Sequence, residues 1–175
     1  MRAKKFFVNN VPSVAAIDFA ALRTSGVSCF LFDIEGTLTP WKDETVPADI
    51  RNAIKLSGAQ KVGLISNMPR NNKHRAEKVG KQIRAQIVNV PKNWKSRKPG
   101  SAMVLESLKH LSAAPEETII IGDKLIDVLT AKNSGLAGAI WVDVMPGPDH
   151  WFDKYLYRKV EPIMKKYFIK QYPKH

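Results

Sequence analysis

Residues 27–34 (VSCFLFDI) are apolar almost throughout and carry an acid, Asp33, next to the end. A short run of this kind reads as a strand buried on both faces, which is the environment of a parallel sheet covered by helices. Four further runs repeat the theme: residues 61–66 (KVGLIS), 86–90, 118–121 (TIII) and 139–144. Helical segments separate them. Asp18 suits the N-cap of a short helix that ends before Gly26. Pro47 fits the first turn of a helix running through Leu56, and residues 70–84 read as a strongly basic helix. Residues 99–111 carry Met103, Val104, Leu108 and Leu111 at helical spacing. A last helix over 125–133 is ended by Ser134 and Gly135. Five strands alternating with helices predict an α/β fold, a Rossmann-like three-layer sandwich around a central, mostly parallel sheet. The 175 residues fit a single domain over 1–175, with its core at about 17–145.

In such a sheet the ligand crevice lies beyond the carboxyl ends of the strands. The residues with chemistry fall there: Asp33 and Glu35 after the first strand, Ser66 and Asn67 after the second, Asp123 after the fourth. Asp33 and Glu35 are two apart and point to one face of an extended segment. One carboxylate is then placed to attack phosphorus while the other handles the leaving-group proton. Gly36 lets the backbone turn closely, so that nearby N–H groups face a phosphate. Asp123 and Asp127 lie one helical turn apart and offer the oxygen ligands that Mg2+ prefers; taken alone, Asp123 suits a plain N-cap equally well. Ser66 and Asn67 offer a hydroxyl and an amide to phosphate oxygens. Lys98, just before a helix, offers charge neutralisation.

Composition sets the remaining bounds. No apolar run approaches the roughly 20 residues that cross a bilayer, and the basic, briefly aromatic start lacks a secretory signal's apolar stretch. These features predict a cytoplasmic protein. The single cysteine, Cys29, forms no internal disulfide, and no arginine follows six residues on, which excludes a cysteine-phosphatase loop. The formal net charge is +12, which attracts polyanions: nucleic acid, an anionic membrane face or phosphorylated small molecules. Residues 150–169 read as a basic, aromatic helix. Trp151, Phe152, Tyr155, Leu156, Val160, Ile163, Met164, Tyr167 and Phe168 recur at roughly helical spacing among lysines and arginines, and Pro162 is expected to break or kink it. Such a helix either lies on a membrane surface, placing the protein peripherally on the inner membrane face, or packs on the sheet with a solvated outer side.

The four elements, in this order and spacing, resemble motifs I to IV of the haloacid dehalogenase superfamily. The resemblance extends from about Ile17 to Val144 and is nearest to the phosphatidylglycerophosphate-phosphatase-like branch of the capless, subclass III phosphatases. It rests on Ile17, Asp18, Leu22, Gly26 and Val27; on Phe32, Asp33, Thr37, Leu38 and Trp41; on Leu64 to Asn67; on Arg97, Lys98 and Pro99; and on Gly122, Asp123, Leu125, Asp127, Leu129, Asn133 and Gly135. The chain departs from that branch at Glu35, where Asp is usual, at Gly36, where Asn is common, at Lys124, where Gln is frequent, and in a motif-IV spacing one residue shorter. Asp33 to Thr37 instead looks like the motif I of enolase-phosphatases.

The resemblance implies a HAD-like fold without a cap domain and an aspartyl-phosphate phosphatase. Its catalytic residues would be Asp33, Glu35, Ser66 and Lys98. Phosphate would be held by Gly36, Thr37, Ser66, Asn67 and Lys98, and Mg2+ by Asp33, Glu35 through its backbone carbonyl, Asp123 and Asp127. The implied partner is a phosphate ester, with the anionic lipid phosphatidylglycerophosphate foremost. Soluble sugar or nucleotide phosphates are the second expectation. A nucleic-acid- or ribosome-associated binding protein on the same scaffold is the third and least favoured.

Overall fold

The computed structural model describes residues 6–147 and 158–171. Six strands form one sheet: β1 (Phe7–Val11), β2 (Cys29–Phe32), β3 (Lys61–Ile65), β4 (Ile87–Asn89), β5 (Thr118–Gly122) and β6 (Gly138–Val142). Their order across the sheet is β1-β6-β5-β2-β3-β4, and every neighbouring pair is parallel. The α/β three-layer expectation therefore holds, with "mostly parallel" sharpened to wholly parallel. The strand β1 is an addition to the five expected. Its sequence, FVNNV, carries two asparagines that disfavour a strand, and it forms by pairing along its whole length with β6. The Asn10 side chain adds a hydrogen bond to the Trp141 carbonyl at 2.6 Å.

The central strands are apolar on both sides because both sides are covered. In β2, Phe30 and Phe32 face one core and Cys29 and Leu31 the other. On the first face lie α1 (Phe19–Thr24), α2 (Ala48–Leu56) and α3 (Lys73–Gln82), contributing Phe19, Ile50, Ile54, Ala76 and Val79. On the second lie α4 (Ala102–Leu111) and α5 (Leu125–Asn133), contributing Met103, Val104, Leu108, Leu111, Val128 and Ala131. Asp18 caps α1, accepting from the Ala21 N–H at 2.9 Å. The helix expected from Pro99 begins instead at Ala102, after a turn closed by the Gly100 N–H on the Arg97 carbonyl.

The last helix, α6 (Arg158–Gln171), runs through Pro162 unbroken. Of the expected break or kink, the break is not found: the missing N–H of Pro162 leaves the Arg158 carbonyl without its helical partner while the helix continues. Phe168 is buried in the second core while Ile163 and Tyr167 are exposed, so the described part of α6 packs on the sheet with a solvated outer side. The expected start of that helix, with Trp151, Phe152, Tyr155 and Leu156, lies outside the described residues. Among the described residues no helix is long and apolar enough to cross a membrane.

The chain runs outward from β2 through β3 to β4, then returns to the other side of β2 with β5 and β6. The direction reverses between β2 and β5. This is the switch point at which parallel sheets open a crevice.

Candidate active site at the switch point

Asp33 follows β2 directly, and its N–H donates to the Ile121 carbonyl of β5 at 2.9 Å. Asp123 follows β5, and its backbone carbonyl accepts from the Trp141 indole at 2.8 Å. The adjacency of β2 and β5 thus brings together two acids 90 residues apart in the chain. Asp127, in the first turn of α5, completes the group. Its Oδ2 accepts from the Lys124 N–H at 3.3 Å, which ties the carboxylate to the start of its own helix. Carboxylate oxygens of Asp33, Asp123 and Asp127 lie within 4.8 Å of one another, and all three residues are buried. Asp123 makes no capping hydrogen bond to α5, so its reading as a plain cap is set aside.

Lys98 enters this group from the turn before α4. Its Nζ donates to Oδ1 of Asp33 at 2.5 Å and to Oδ1 of Asp127 at 2.6 Å. Burial opposes the charge on this ammonium, but Asp127 and Asp33 outweigh it and raise Lys98 above the ordinary lysine range. Burial pushes the Asp123 carboxyl up to about 8, reinforced by the charge of Asp33 and partly opposed by Lys124. Burial raises Asp127 as well, to about 6, with Lys98 opposing and Asp33 adding to the shift. Three carboxylates against one ammonium carry a formal charge of −2.

That charge, and the Oδ2 of Asp123, which is buried without a hydrogen-bond partner among the described residues, fit a divalent cation. A hard, oxygen-only donor set of this size suits Mg2+.

The remaining expected residues take distinct places. Gly36 has φ +85°, and a Cβ there would collide with the Asp123 carboxylate, so the turn after Asp33 closes onto the acid group only with glycine. The Thr37 hydroxyl donates to Oδ1 of Asp123 at 3.1 Å. Ser66 is buried beside Asp33 in the same cavity, and its hydroxyl accepts from the Met68 N–H at 3.3 Å. Both ends of the Asn67 amide are engaged with the Lys98 backbone, Nδ2 donating to its carbonyl at 3.1 Å and Oδ1 accepting from its N–H at 2.8 Å. Asn67 here holds Lys98 in place.

The side chain of Glu35 stands apart from the three acids. Its Oε1 pairs with Nη2 of Arg75 at 2.5 Å and accepts from the Lys42 N–H at 3.3 Å. Arg75 is one of many basic residues in α3, and nothing in the local sequence sets it apart.

Asp33, Glu35, Ser66, Asn67, Lys98 and Asp127 line one cavity of about 440 Å³. Trp41, Met68, Pro69 and Ile126 supply its apolar wall, and Arg97 and Lys124 add positive charge. The sequence reading did not single out Met68, Pro69 or Ile126, or give Arg97 and Lys124 a role in the site.

Solved structures of similar shape include a protein from Mesorhizobium loti assigned as a HAD-like phosphatase. It is 18% identical, with a TM-score of 0.54, covering 70% of this chain and 76% of its own. A protein from Haemophilus somnus, predicted to be a phosphoglycolate phosphatase, is 11% identical with a TM-score of 0.52, covering 66% and 84%. A protein from Bacteroides fragilis assigned as a haloacid dehalogenase-like hydrolase is 16% identical with a TM-score of 0.51, covering 69% and 90%. At these identities the likeness is one of fold. No curated protein matches the sequence. The family model for haloacid dehalogenase-like hydrolases matches residues 49–140, a span that begins in α2, ends in β6 and includes Ser66, Lys98, Asp123 and Asp127. More than half of the sequence thus fits that model, and the chain belongs to the haloacid dehalogenase-like hydrolase family.

Proposed function

We propose that the protein is a Mg2+-dependent phosphomonoester hydrolase that carries the phosphoryl group on Asp33. The observation behind this reading is the junction of Asp33, Asp123, Asp127 and Lys98 in one buried cluster opening on a cavity. Asp33, Asp123 and Asp127 would hold the cation. When bound, it supplies positive charge against the phosphoryl oxygens and offsets their repulsion of the nucleophile.

The chain's own residues carry the steps. A carboxylate oxygen of Asp33 attacks phosphorus, and the bond from phosphorus to the leaving oxygen breaks. Glu35 gives that oxygen its proton. Glu35 then takes a proton from water, whose oxygen attacks the phosphorus of the aspartyl phosphate; phosphate leaves and Asp33 is restored. Lys98 fixes Asp33 and offsets charge during both displacements. Ser66 offers its hydroxyl to a phosphoryl oxygen.

The cavity wall supports a substrate class. Apolar surface from Trp41, Met68, Pro69 and Ile126 beside the cations of Arg97 and Lys124 suits an ester with both an apolar and an anionic portion. Phosphatidylglycerophosphate has that character and is the substrate we propose first. A phosphate-release screen with Mg2+ across lipid, sugar and nucleotide phosphates, with Asp33→Asn protein as blank, tests this. Release from the lipid phosphate above all others is expected. Release only from soluble esters would overturn the lipid assignment, and no Asp33-dependent release from any class would overturn the phosphatase reading.

A further inference from the structure

Arg75 stands in the first turn of α3 and is 8% exposed. Its Nη2 donates to Oε1 of Glu35 at 2.5 Å, and the Lys42 N–H donates to the same oxygen at 3.3 Å. Among the described residues Oε2 takes no hydrogen bond, and Glu35 lines the cavity that holds Asp33. One oxygen of the carboxylate is therefore anchored from two sides while the other is uncommitted. A glutamate has one more rotatable bond than the aspartate usual at this position, so its reacting atom is harder to hold in place; an anchor on one oxygen supplies the missing restraint. Beyond Glu35, the charge of Arg75 acts on the exposed Asp43 carboxylate, as the smallest of the influences on it. The Nη1 of Arg75 is buried with no hydrogen-bond partner among the described residues, which disfavours a charged side chain in a purely structural role.

Building on the phosphatase reading, we infer that Arg75 is a positioning residue, clamping Oε1 of Glu35 so that Oε2 is the atom that passes the proton. Arg75 itself does not line the cavity, so its removal acts on turnover and leaves substrate binding alone.

The test is a double-mutant cycle on the Mg2+-loaded full-length protein with p-nitrophenyl phosphate as probe. Arg75→Met is expected to lower kcat by at least ~10-fold, a part of the roughly 10²–10⁴-fold that a positioned proton-transfer group contributes, with KM unchanged. Arg75→Lys, which keeps one donor, is expected to recover part of that loss. In a Glu35→Gln background, Arg75→Met is expected to have no further effect. The inference is overturned by an unchanged kcat in Arg75→Met, by a loss confined to KM, or by an equal loss in the Glu35→Gln background. Arg75→Gln takes the place of Arg75→Met, with the same outcomes, if the latter does not fold. A wild-type protein without Asp33-dependent phosphate release would overturn the underlying phosphatase reading; an active wild type with insensitive Arg75 variants overturns this inference alone.

Discussion

The ammonium of Lys98 donates to Asp127 at 2.6 Å with both side chains almost wholly buried, at 3% and 2% exposure. The same nitrogen also reaches Asp33, so one cation holds Asp33 and the α5 acid together. Replacing it with methionine removes the ammonium that pairs with Asp33 and Asp127 and leaves three carboxylates facing one another. Breaking a buried pair from one side costs about 3–5 kcal/mol. Urea unfolding of Lys98→Met in EDTA is expected to show a loss of that order, and the variant is expected to release no phosphate. A stability within about 1 kcal/mol of wild type, the range of a surface pair, would contradict this account of the cluster.

The raised carboxyls of Asp123 and Asp127 make stability depend on pH. An acid whose pKa rises on folding keeps its proton in the native state where the unfolded chain has lost it, so stability falls as pH rises between the two values. For Asp123 that window runs from the ordinary aspartate value of 3.8 to about 8. Metal-free protein is therefore expected to melt lower at about pH 8 than at about pH 5, and Mg2+ to raise the midpoint more at the higher pH, where the acids bind it without releasing a proton. Equal Mg2+ shifts at the two pH values, read by calorimetry, would count against the assignment.

Gly36 and Gly135 form a natural comparison. Both have positive φ, +85° and +67°, but a Cβ at Gly36 meets the Asp123 carboxylate whereas one at Gly135 meets nothing within 4 Å. Gly135→Ala is expected to cost about 1 kcal/mol, the backbone penalty alone, and to leave catalysis intact. Gly36→Ala carries the same penalty plus the collision, about 1–3 kcal/mol in all, and is expected to abolish phosphate release. Parallel denaturation and phosphate assays check both, and equal behaviour of the two variants would contradict the close fit of the turn.

Cys29 is buried in the middle of the sheet, and burial pushes its thiol up to about 11. The thiolate is the reactive form, so the native protein is expected to resist a disulfide reagent such as DTNB and to react with one equivalent on unfolding. Rapid labelling of folded protein would show that β2 is more accessible than its packing indicates.

The sequence makes the sheet legible wherever strands are buried on both faces, since residues 27–34 and 118–121 need no context to read as strands. The helix α5 falls on its expected bounds because an acid at its start and Ser134–Gly135 at its end mark both termini. The edge strand β1 escapes because its asparagines are local signals for a turn, overridden by pairing with β6. At the site, the choice between cap and cluster for Asp123 turns on which strand lies beside β2, a non-local fact. The partnership of Glu35 with Arg75 spans 40 residues and leaves no trace in either local sequence. The backbone carbonyl of Glu35 stays an expected metal ligand, and the commitment of its side chain to Arg75 and the Lys42 N–H leaves that carbonyl role untouched.

The most direct measurement of the central claim is the covalent state of Asp33 during turnover. Wild-type protein mixed with substrate and Mg2+, quenched in acid and digested, is expected to yield a phosphoryl adduct on the peptide containing Asp33, and Asp33→Asn protein to yield none. Continued hydrolysis by Asp33→Asn protein, or an adduct on a different residue, would contradict the assignment of Asp33 as the nucleophile.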